Sequence, residues 1–92
     1  MSIYEKGREA PVDYVIDWGA GWLGGAEIVA SRWSVEPAGN LVAREQPAED
    51  GRTRAMLSGG LPGWRYRVAS EVRLSDGRIG RRAIDLAIGA GR

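Results

Sequence analysis

Apolar and polar residues alternate along most of the chain with the two-residue period of a β-strand. The clearest alternation covers residues 65–74, where one face is apolar or small and the other is mostly charged. Five other runs share this period, at residues 12–18, 26–35, 41–44, 52–57 and 78–88. The side chains predicted to face inward are Tyr14, Ile16, Trp18, Val29, Ser31, Trp33, Val35, Thr53, Ala55, Leu57, Tyr66, Val68, Ser70, Val72, Leu74, Ile84, Leu86 and Ile88. Six short strands are typical of an all-β sandwich, and a small barrel is the main competing architecture.

Glycine, proline and polar clusters separate these runs and mark the turns. Asp76-Gly77 stands between two strand-like runs and is a strong hairpin signal. Turns or loops are also predicted at residues 19–25, 37–40, 46–51 and 58–63. We therefore expect three segments: an extended N-terminal arm at residues 1–11, one β-sandwich domain at residues 12–88 and a C-terminal tail at residues 89–92.

Length and composition limit the number of domains and the class of protein that the chain can form. A chain of 92 residues allows one domain with one thin core. Hydrophobic residues make up 43% of it, which is typical of a globular protein. No apolar run approaches the roughly 20 residues that a membrane-spanning helix needs. The first residues lack the layout of a signal peptide, so we expect a soluble chain without a targeting segment.

The absence of Cys and His removes most catalytic and metal-binding chemistry. Disulfides, thiolate nucleophiles and the usual zinc sites are excluded. Asp13 and Asp17 are the best carboxylate pair, but four residues along a strand separate them by roughly 13 Å. That distance is too long for a paired acid and base. We therefore expect no enzymatic activity, no cofactor and no metal site.

Charge is distributed unevenly along the chain, although its net value is only +1. Residues 1–51 hold four basic and nine acidic residues, a net charge of −5. Residues 52–92 hold nine basic and three acidic residues, a net charge of +6. Two outcomes are open at this point. The folded chain either has one acidic and one basic side, which would steer association, or its strands interleave the two halves and mix the charges.

The segment Leu57-Ser58-Gly59-Gly60-Leu61-Pro62-Gly63-Trp64-Arg65-Tyr66-Arg67-Val68 resembles the crossing between the fifth and sixth strands of fibronectin type III domains. The resemblance implies that Tyr66 is the tyrosine corner, with its ring in the core and its hydroxyl bonded to upstream backbone. The segment Ile28–Pro37 is similar to the second strand of the same family, which implies that Trp33 fills the centre of the core. We expect Trp33, Tyr66, Val68 and Leu86 to be structural core residues of an antiparallel, fibronectin III/immunoglobulin-like sandwich of six to seven strands.

A narrower resemblance covers residues 12–88. It rests on the order and spacing of residues 13–18, Trp22-Leu23-Gly24, Ile28, residues 31–35, Leu57-Ser58-Gly59-Gly60, Gly63, Tyr66-Arg67-Val68 and Gly77-Arg78. This order is similar to small proteins of tailed phages and prophages that serve as fiber-tail adaptors or minor head–tail proteins. The resemblance implies a non-enzymatic virion protein that joins tail or neck to fibers. It also implies other virion proteins as partners, a symmetric homo-oligomer and assembly in the host cytoplasm.

Two groups of side chains are predicted protein-interface residues. The first is Trp18, Trp22 and Leu23 in the glycine-rich loop, because exposed aromatic residues often anchor interfaces. The alternative for this loop is that both indoles cap the open end of the sandwich. The second group is Arg65, Arg67 and Arg73, on the charged face of the fifth predicted strand run, at residues 65–74.

Two other functions remain open. A fibronectin-like adhesion or glycan-binding module would require exposed loop aromatics without an oligomer partner. A nucleic-acid-binding sandwich would use the arginines for phosphate contacts, and its affinity would fall steeply with salt. The second is disfavoured because Glu71 interrupts the arginine face and no stacking aromatics are interleaved with it. That arginine set is Arg65, Arg67, Arg73, Arg78, Arg81 and Arg82.

Overall fold

The computed structural model of the chain describes residues 3–6 and 11–89. Within these residues it contains seven β-strands and one single-turn helix. The strands are β1 (Ile3–Lys6), β2 (Val12–Asp17), β3 (Ile28–Glu36), β4 (Leu41–Glu49), β5 (Arg52–Gly59), β6 (Arg65–Leu74) and β7 (Ile79–Ile88), and the helix is α1 (Ala20–Leu23). The all-β class predicted from the alternation is confirmed.

The strands form two sheets that pack as a sandwich. A four-stranded sheet has the order β1-β7-β6-β3, and a three-stranded sheet has the order β2-β5-β4. All pairs between two strands of the set β2 to β7 are antiparallel, as predicted. One pair adds to the prediction, because β1 lies parallel to β7 at the sheet edge. No hairpin joins these two strands, so no turn dictates an antiparallel direction.

Side chains from the facing sides of the two sheets form one core. Every second residue of β5 and β6 is buried there, as the alternation predicts. Trp33 lies edge-on against Tyr14, with ring centroids 5.5 Å apart. Its indole N–H has no hydrogen-bond partner among the described residues. The buried apolar residues of the core are Ile16, Trp18, Leu23, Trp33, Leu41, Ala55, Leu57, Tyr66, Val68, Val72, Leu74, Ile84, Leu86 and Ile88.

The crossing from β5 to β6 is closed by a buried tyrosine. The ring of Tyr66 is almost fully buried. Its hydroxyl oxygen accepts a hydrogen bond of 2.9 Å from the backbone N–H of Leu61. This contact is the one that the fibronectin resemblance implies for Tyr66. The finer assignment to the fibronectin or immunoglobulin type stays a prediction.

The inward position predicted for Val29 is wrong, since its side chain is 57% exposed. The pairing of β3 with β6 shifts between Ile28 and Ala30, which marks a β-bulge. A bulge inserts one extra residue and reverses the alternation on its far side. Ile28 and Ser31 are therefore both partly buried, and Val29 between them points to solvent.

The polar loop predicted at residues 46–51 is largely strand. β4 continues to Glu49 and pairs with Arg52 of β5, so the connection is a tight hairpin. Its two central residues, Asp50 and Gly51, have φ values of 53° and 73°. Positive φ at both positions is what a type I′ hairpin turn requires, and Asp-Gly is a favoured pair there. The hairpin predicted at Asp76-Gly77, between β6 and β7, is confirmed.

The predicted N-terminal arm contains β1, which extends the four-stranded sheet beside β7. Residues 7–10 of this arm and residues 90–92 of the predicted tail lie outside the described residues. The boundaries predicted at residues 12 and 88 stay predictions.

Candidate functional site

A cluster of aromatic and arginine side chains closes one end of the sandwich. Trp18 follows β2 directly and is buried. Its indole N–H donates a 3.0 Å hydrogen bond to the Thr53 hydroxyl of β5. That hydroxyl lies 3.1 Å from the Ser70 hydroxyl of β6, in the other sheet. The two sheets are therefore joined through buried polar groups that satisfy one another, as buried polar groups must.

Trp22 covers Trp18 from the solvent side. It is carried by α1 and lies half-buried, with its ring centroid 5.4 Å from that of Trp18. Both indoles lie over Gly80 of β7. A Cβ atom at Gly80 would be 2.5 Å from Cη2 of Trp22 and 3.1 Å from Cζ3 of Trp18. The close approach of the two rings thus depends on a residue without a side chain.

Arg78, in the turn between β6 and β7, fastens the helix to the four-stranded sheet. Its guanidinium lies over the Trp22 ring, 5.2 Å from the centroid. The same group donates hydrogen bonds of 2.7 and 2.8 Å to the backbone carbonyls of Trp22 and Leu23. These are carbonyls of the last turn of α1, which need partners from outside the helix.

Asp76 holds this arginine from the other side. Its carboxylate accepts hydrogen bonds from the backbone N–H of Arg78 at 3.1 Å and from Nε at 2.9 Å. The backbone N–H and then the side chain of Arg78 lower the pKa of the Asp76 carboxyl below its ordinary value.

Arg82 makes the equivalent contact with Trp18. Its guanidinium lies 4.9 Å from the centroid of the Trp18 ring. It donates hydrogen bonds to the backbone carbonyl of Asp17 at 3.2 Å and, more weakly, to that of Trp18 at 3.5 Å. Arg78 and Arg82 were members of the arginine set considered for phosphate binding. Both guanidinium groups are hydrogen-bonded to backbone carbonyls of the chain itself.

These contacts decide where the first predicted interface group lies. Trp18 and Leu23 are buried, and Trp22 is half-buried over them. The two indoles cap the end of the sandwich, which is the alternative that the sequence left open. An interface role for this loop stays a prediction, and of the two indoles only that of Trp22 offers part of its surface to a partner in this conformation.

The second predicted group, Arg65, Arg67 and Arg73, lies along the outer face of β6, and all three side chains are exposed. Arg67 forms an ion pair of 3.3 Å with Asp85 of β7. Arg65 and Arg73 have no ion pair among the described residues. Eight strand residues separate these two by roughly 26 Å. The group is therefore not one compact site.

The acidic and basic halves of the sequence are interleaved in the fold. β5 from the basic half lies between β2 and β4 from the acidic half. Arg52 pairs with Asp17 at 3.5 Å, and Arg54 pairs with Asp13 at 3.4 Å. Acidic and basic residues are therefore mixed on the three-stranded sheet, which is one of the two outcomes that the sequence left open.

The most exposed large apolar side chains in the described part of the chain lie beside Arg73. Ile79 is 64% exposed and Val29 is 57% exposed. Arg73 pairs with Ala30 of β3 on one side and with Ile79 of β7 on the other. The three strands thus present aliphatic groups and a guanidinium together, which is a composition typical of protein interfaces. Another exposed side chain, Trp64, directly precedes the first residue of β6, is 49% exposed and stacks on Tyr66.

Sequence reasoning missed these residues for different reasons. The outward orientation of Ile79 could be predicted from the alternation in β7. Ile84, Leu86 and Ile88 face inward, so Ile79, an odd number of positions away, faces outward. The exposure of Val29 depends on the bulge, for which the sequence carries no local signal. We assigned no role to Trp64, although its place next to Pro62-Gly63 indicated a turn at the surface.

Other candidate sites are shallow. Two surface grooves of about 290 and 300 Å³ lie near the start of β3. Within residues 3–6 and 11–89, no group of three or more acidic side chains is arranged to hold a metal ion. The same residues include no helix with the length and apolar character needed to span a membrane.

Comparison with known proteins identifies the family. A family model described as podophage GP4 fiber-tail adaptor protein gp77 matches residues 6–87. No curated protein matches the chain. The matched range includes β2 to β6 in full, most of β7 and the aromatic–arginine end of the sandwich. It also includes every segment on which the resemblance to fiber-tail adaptors was based. Since the match covers most of its length, the chain belongs to the podophage fiber-tail adaptor family.

Proposed function

We propose that this chain is a non-enzymatic component of a tailed-phage virion that joins tail or neck to fibers as a symmetric homo-oligomer assembled in the host cytoplasm. Membership of the fiber-tail adaptor family carries the proposal, since the family match spans nearly the whole sandwich. The family makes the chain a phage structural adaptor with other virion proteins as partners. The oligomer, the exact position and the absence of catalysis go beyond that membership.

The exposed surface supports a joining role. An adaptor needs at least two separate contact surfaces, and the sandwich offers exposed apolar groups near both ends of β6. Ile79 is the first residue of β7 and lies beside the last residues of β6. Trp64 directly precedes the first residue of β6. Ten strand residues span roughly 33 Å, so two partners, of which one can be a second copy of this chain, can contact these surfaces without overlapping. Tryptophan, as at Trp64, is one of the residue types enriched at the binding hot spots of protein–protein interfaces.

Contacts within the sandwich indicate a rigid domain, which suits a structural connector. Two buried hydroxyls join the sheets, and two arginines fasten the β2–β3 connection to β7. A connector that transmits force between tail and fiber gains from such cross-links, because local opening is then rarer. Arginine–aromatic contacts of this type contribute about 0.5–1 kcal/mol each at exposed sites.

The test is the composition of particles that lack the chain. Phage with the gene deleted should assemble heads and tails but carry no fibers, and supplying the wild-type chain from a plasmid should restore them. Cryo-EM of complemented particles should place the chain in a ring between tail or neck and fibers. Fibers attached at the wild-type number without the chain, or its absence from complemented particles, would overturn the proposal.

A further inference from the structure

The charges that remain unpaired within the chain fall mainly into two groups. After the internal ion pairs, three arginines on the outer face of the four-stranded sheet have no ion pair among the described residues: Arg65, Arg73 and Arg81. Four carboxylates near the edge that β3 and β4 share are likewise without an ion pair: Glu27, Glu45, Glu49 and Asp50. Among the described residues from 11 to 89, Glu36, Arg44 and Arg82 fall outside this division, and Arg82 is bonded to backbone carbonyls instead. A local separation of charge thus survives the mixing of the two halves.

The basic group includes an apolar patch. We define the Ile79 patch as Val29, Arg73, Ile79 and Arg81. Ile79 and Val29 are the two most exposed large hydrophobic side chains within residues 11–89. Arg73 lies directly opposite Ile79 in the β6–β7 register, and Arg81 follows two residues later on the same face of β7. Aliphatic side chains beside unpaired arginines favour contact with a surface that is both apolar and acidic.

The acidic group lines such a surface. We define the acidic groove as the surface formed by Leu23, Ala26, Glu27, Ile28, Ala48, Glu49, Asp50 and Gly51, with a volume of about 290 Å³. Most of its other side chains are aliphatic, and three carboxylates stand around them. A volume at the lower limit of ligand pockets suits one or two protein side chains better than a whole small molecule.

We propose that the Ile79 patch of one copy docks into the acidic groove of a second copy of this chain. This inference rests on the proposed function, in which the copies form a symmetric oligomer. Two identical patches facing each other would oppose arginines, and two identical grooves would oppose carboxylates. Charge therefore favours patch against groove, and a net charge of +1 leaves little overall repulsion between copies.

The positions of the two surfaces suit a repeating contact. Ile28 contributes to the groove and Val29 to the patch, so the surfaces lie on either side of the first residues of β3. A contact between two different surfaces of the same chain is heterologous. Repetition of such a contact generates a ring when the rotation closes.

Cysteine cross-linking tests the contact, because the chain has no cysteine of its own. Phage lacking the gene is complemented with an equal mixture of Ile79→Cys and Glu49→Cys chains, and the purified particles are oxidised. We expect disulfide-linked dimers on non-reducing gels from the mixture and none from either variant alone. The matched control replaces Ile79→Cys with Val42→Cys, since Val42 is 55% exposed but lies outside the patch. This control mixture should stay unlinked.

Charge reversal provides a second measurement. Arg73→Glu should lower the number of copies per particle by about tenfold, because it places like charges in the contact. Adding Glu49→Arg to the same chain should restore the number. Arg44→Glu, on the other sheet, should have no effect.

The possible negative results distinguish failure of the docking proposal from failure of the proposed function. Wild-type copy number in Arg73→Glu particles, or absence of the 79–49 link in particles that contain both cysteine variants, would refute the docking while the adaptor function stands. Dimers from Ile79→Cys alone would show a patch-to-patch contact and also refute it. Absence of the wild-type chain from particles would instead overturn the proposed function.

Discussion

Gly80 of β7 lies beneath the two indole rings that close one end of the sandwich, and its replacement by alanine tests how that end is held. The added Cβ would be 2.5 Å from Cη2 and 2.9 Å from Cζ2 of Trp22, and 3.1 Å from Trp18. All three distances are below an ordinary van der Waals contact. Trp18 is buried and hydrogen-bonded to Thr53, so the half-buried Trp22 must give way.

The expected cost combines two opposing terms. Overpacking of a well-packed site costs typically about 1–3 kcal/mol. Replacing glycine by alanine within a strand or helix raises the free energy of unfolding by about 0.5–1 kcal/mol, because it lowers the conformational entropy of the unfolded chain. Displacement of Trp22 also weakens its contact with the guanidinium of Arg78. Gly80→Ala should therefore lower the free energy of unfolding by about 0.5–2 kcal/mol.

The matched control is Gly21→Ala. Gly21 lies in α1, and a Cβ at this position would meet nothing within 4 Å. Both variants gain a similar backbone term, so the difference between them isolates the steric term at Gly80. That difference should be about 1–3 kcal/mol, with Gly80→Ala the less stable.

Urea denaturation followed by tryptophan fluorescence measures this difference from the two midpoints. In thermal unfolding, each kcal/mol corresponds to about 4–8 °C for a domain of this size. The native emission of Gly80→Ala should also shift to the red as Trp22 moves toward water. Equal stability of the two variants, with unchanged emission, would refute the inference that Gly80 is required for the packing of the indoles.

Three further predictions concern single side chains. Tyr66→Phe should lower the free energy of unfolding by about 1–3 kcal/mol in urea denaturation, because it leaves a part-buried backbone N–H without its acceptor; a change below about 0.5 kcal/mol would contradict this. Trp18→Phe should cost about 1–2 kcal/mol more than Trp33→Phe by the same assay, because only the Trp18 indole N–H has a partner among the described residues; equal costs would show that the hydrogen bond contributes nothing. Since its partner Arg78 lowers the pKa of Asp76, this carboxylate contributes stability that is present above its ordinary pKa and lost as the pH falls through the lower, folded value. Asp76→Asn should therefore flatten the acid limb of stability against pH without changing its slope at neutral pH, and an unchanged acid limb would exclude this role.

The adaptor family and most of the fold could be predicted from the sequence, because both depend on local order and spacing. A strand alternates its side chains whatever it pairs with, so the inward faces of β5 and β6 follow from the residues alone. The same holds for the Asp76-Gly77 hairpin, since the turn residues carry the required φ preference. Tyr66 could be assigned because the fibronectin resemblance includes the Pro62-Gly63 turn before it.

The candidate site was less predictable because its properties belong to pairs of residues far apart in the chain. Trp18 is separated by 35 residues from the hydroxyl that binds it, and Arg82 by 65 residues from a carbonyl that it contacts. Whether a tryptophan is an exposed anchor or a cap, and whether an arginine is free or engaged, depends on these partners. The bulge that exposes Val29 likewise arises from the pairing of two strands and not from either strand alone. The residues by themselves determined the inward faces of strands whose alternation is unbroken. Only the pairing and packing of the strands decided where Val29 points and which side chains remain available to a partner, because bulges, burial and ion pairing are set by neighbours from other strands.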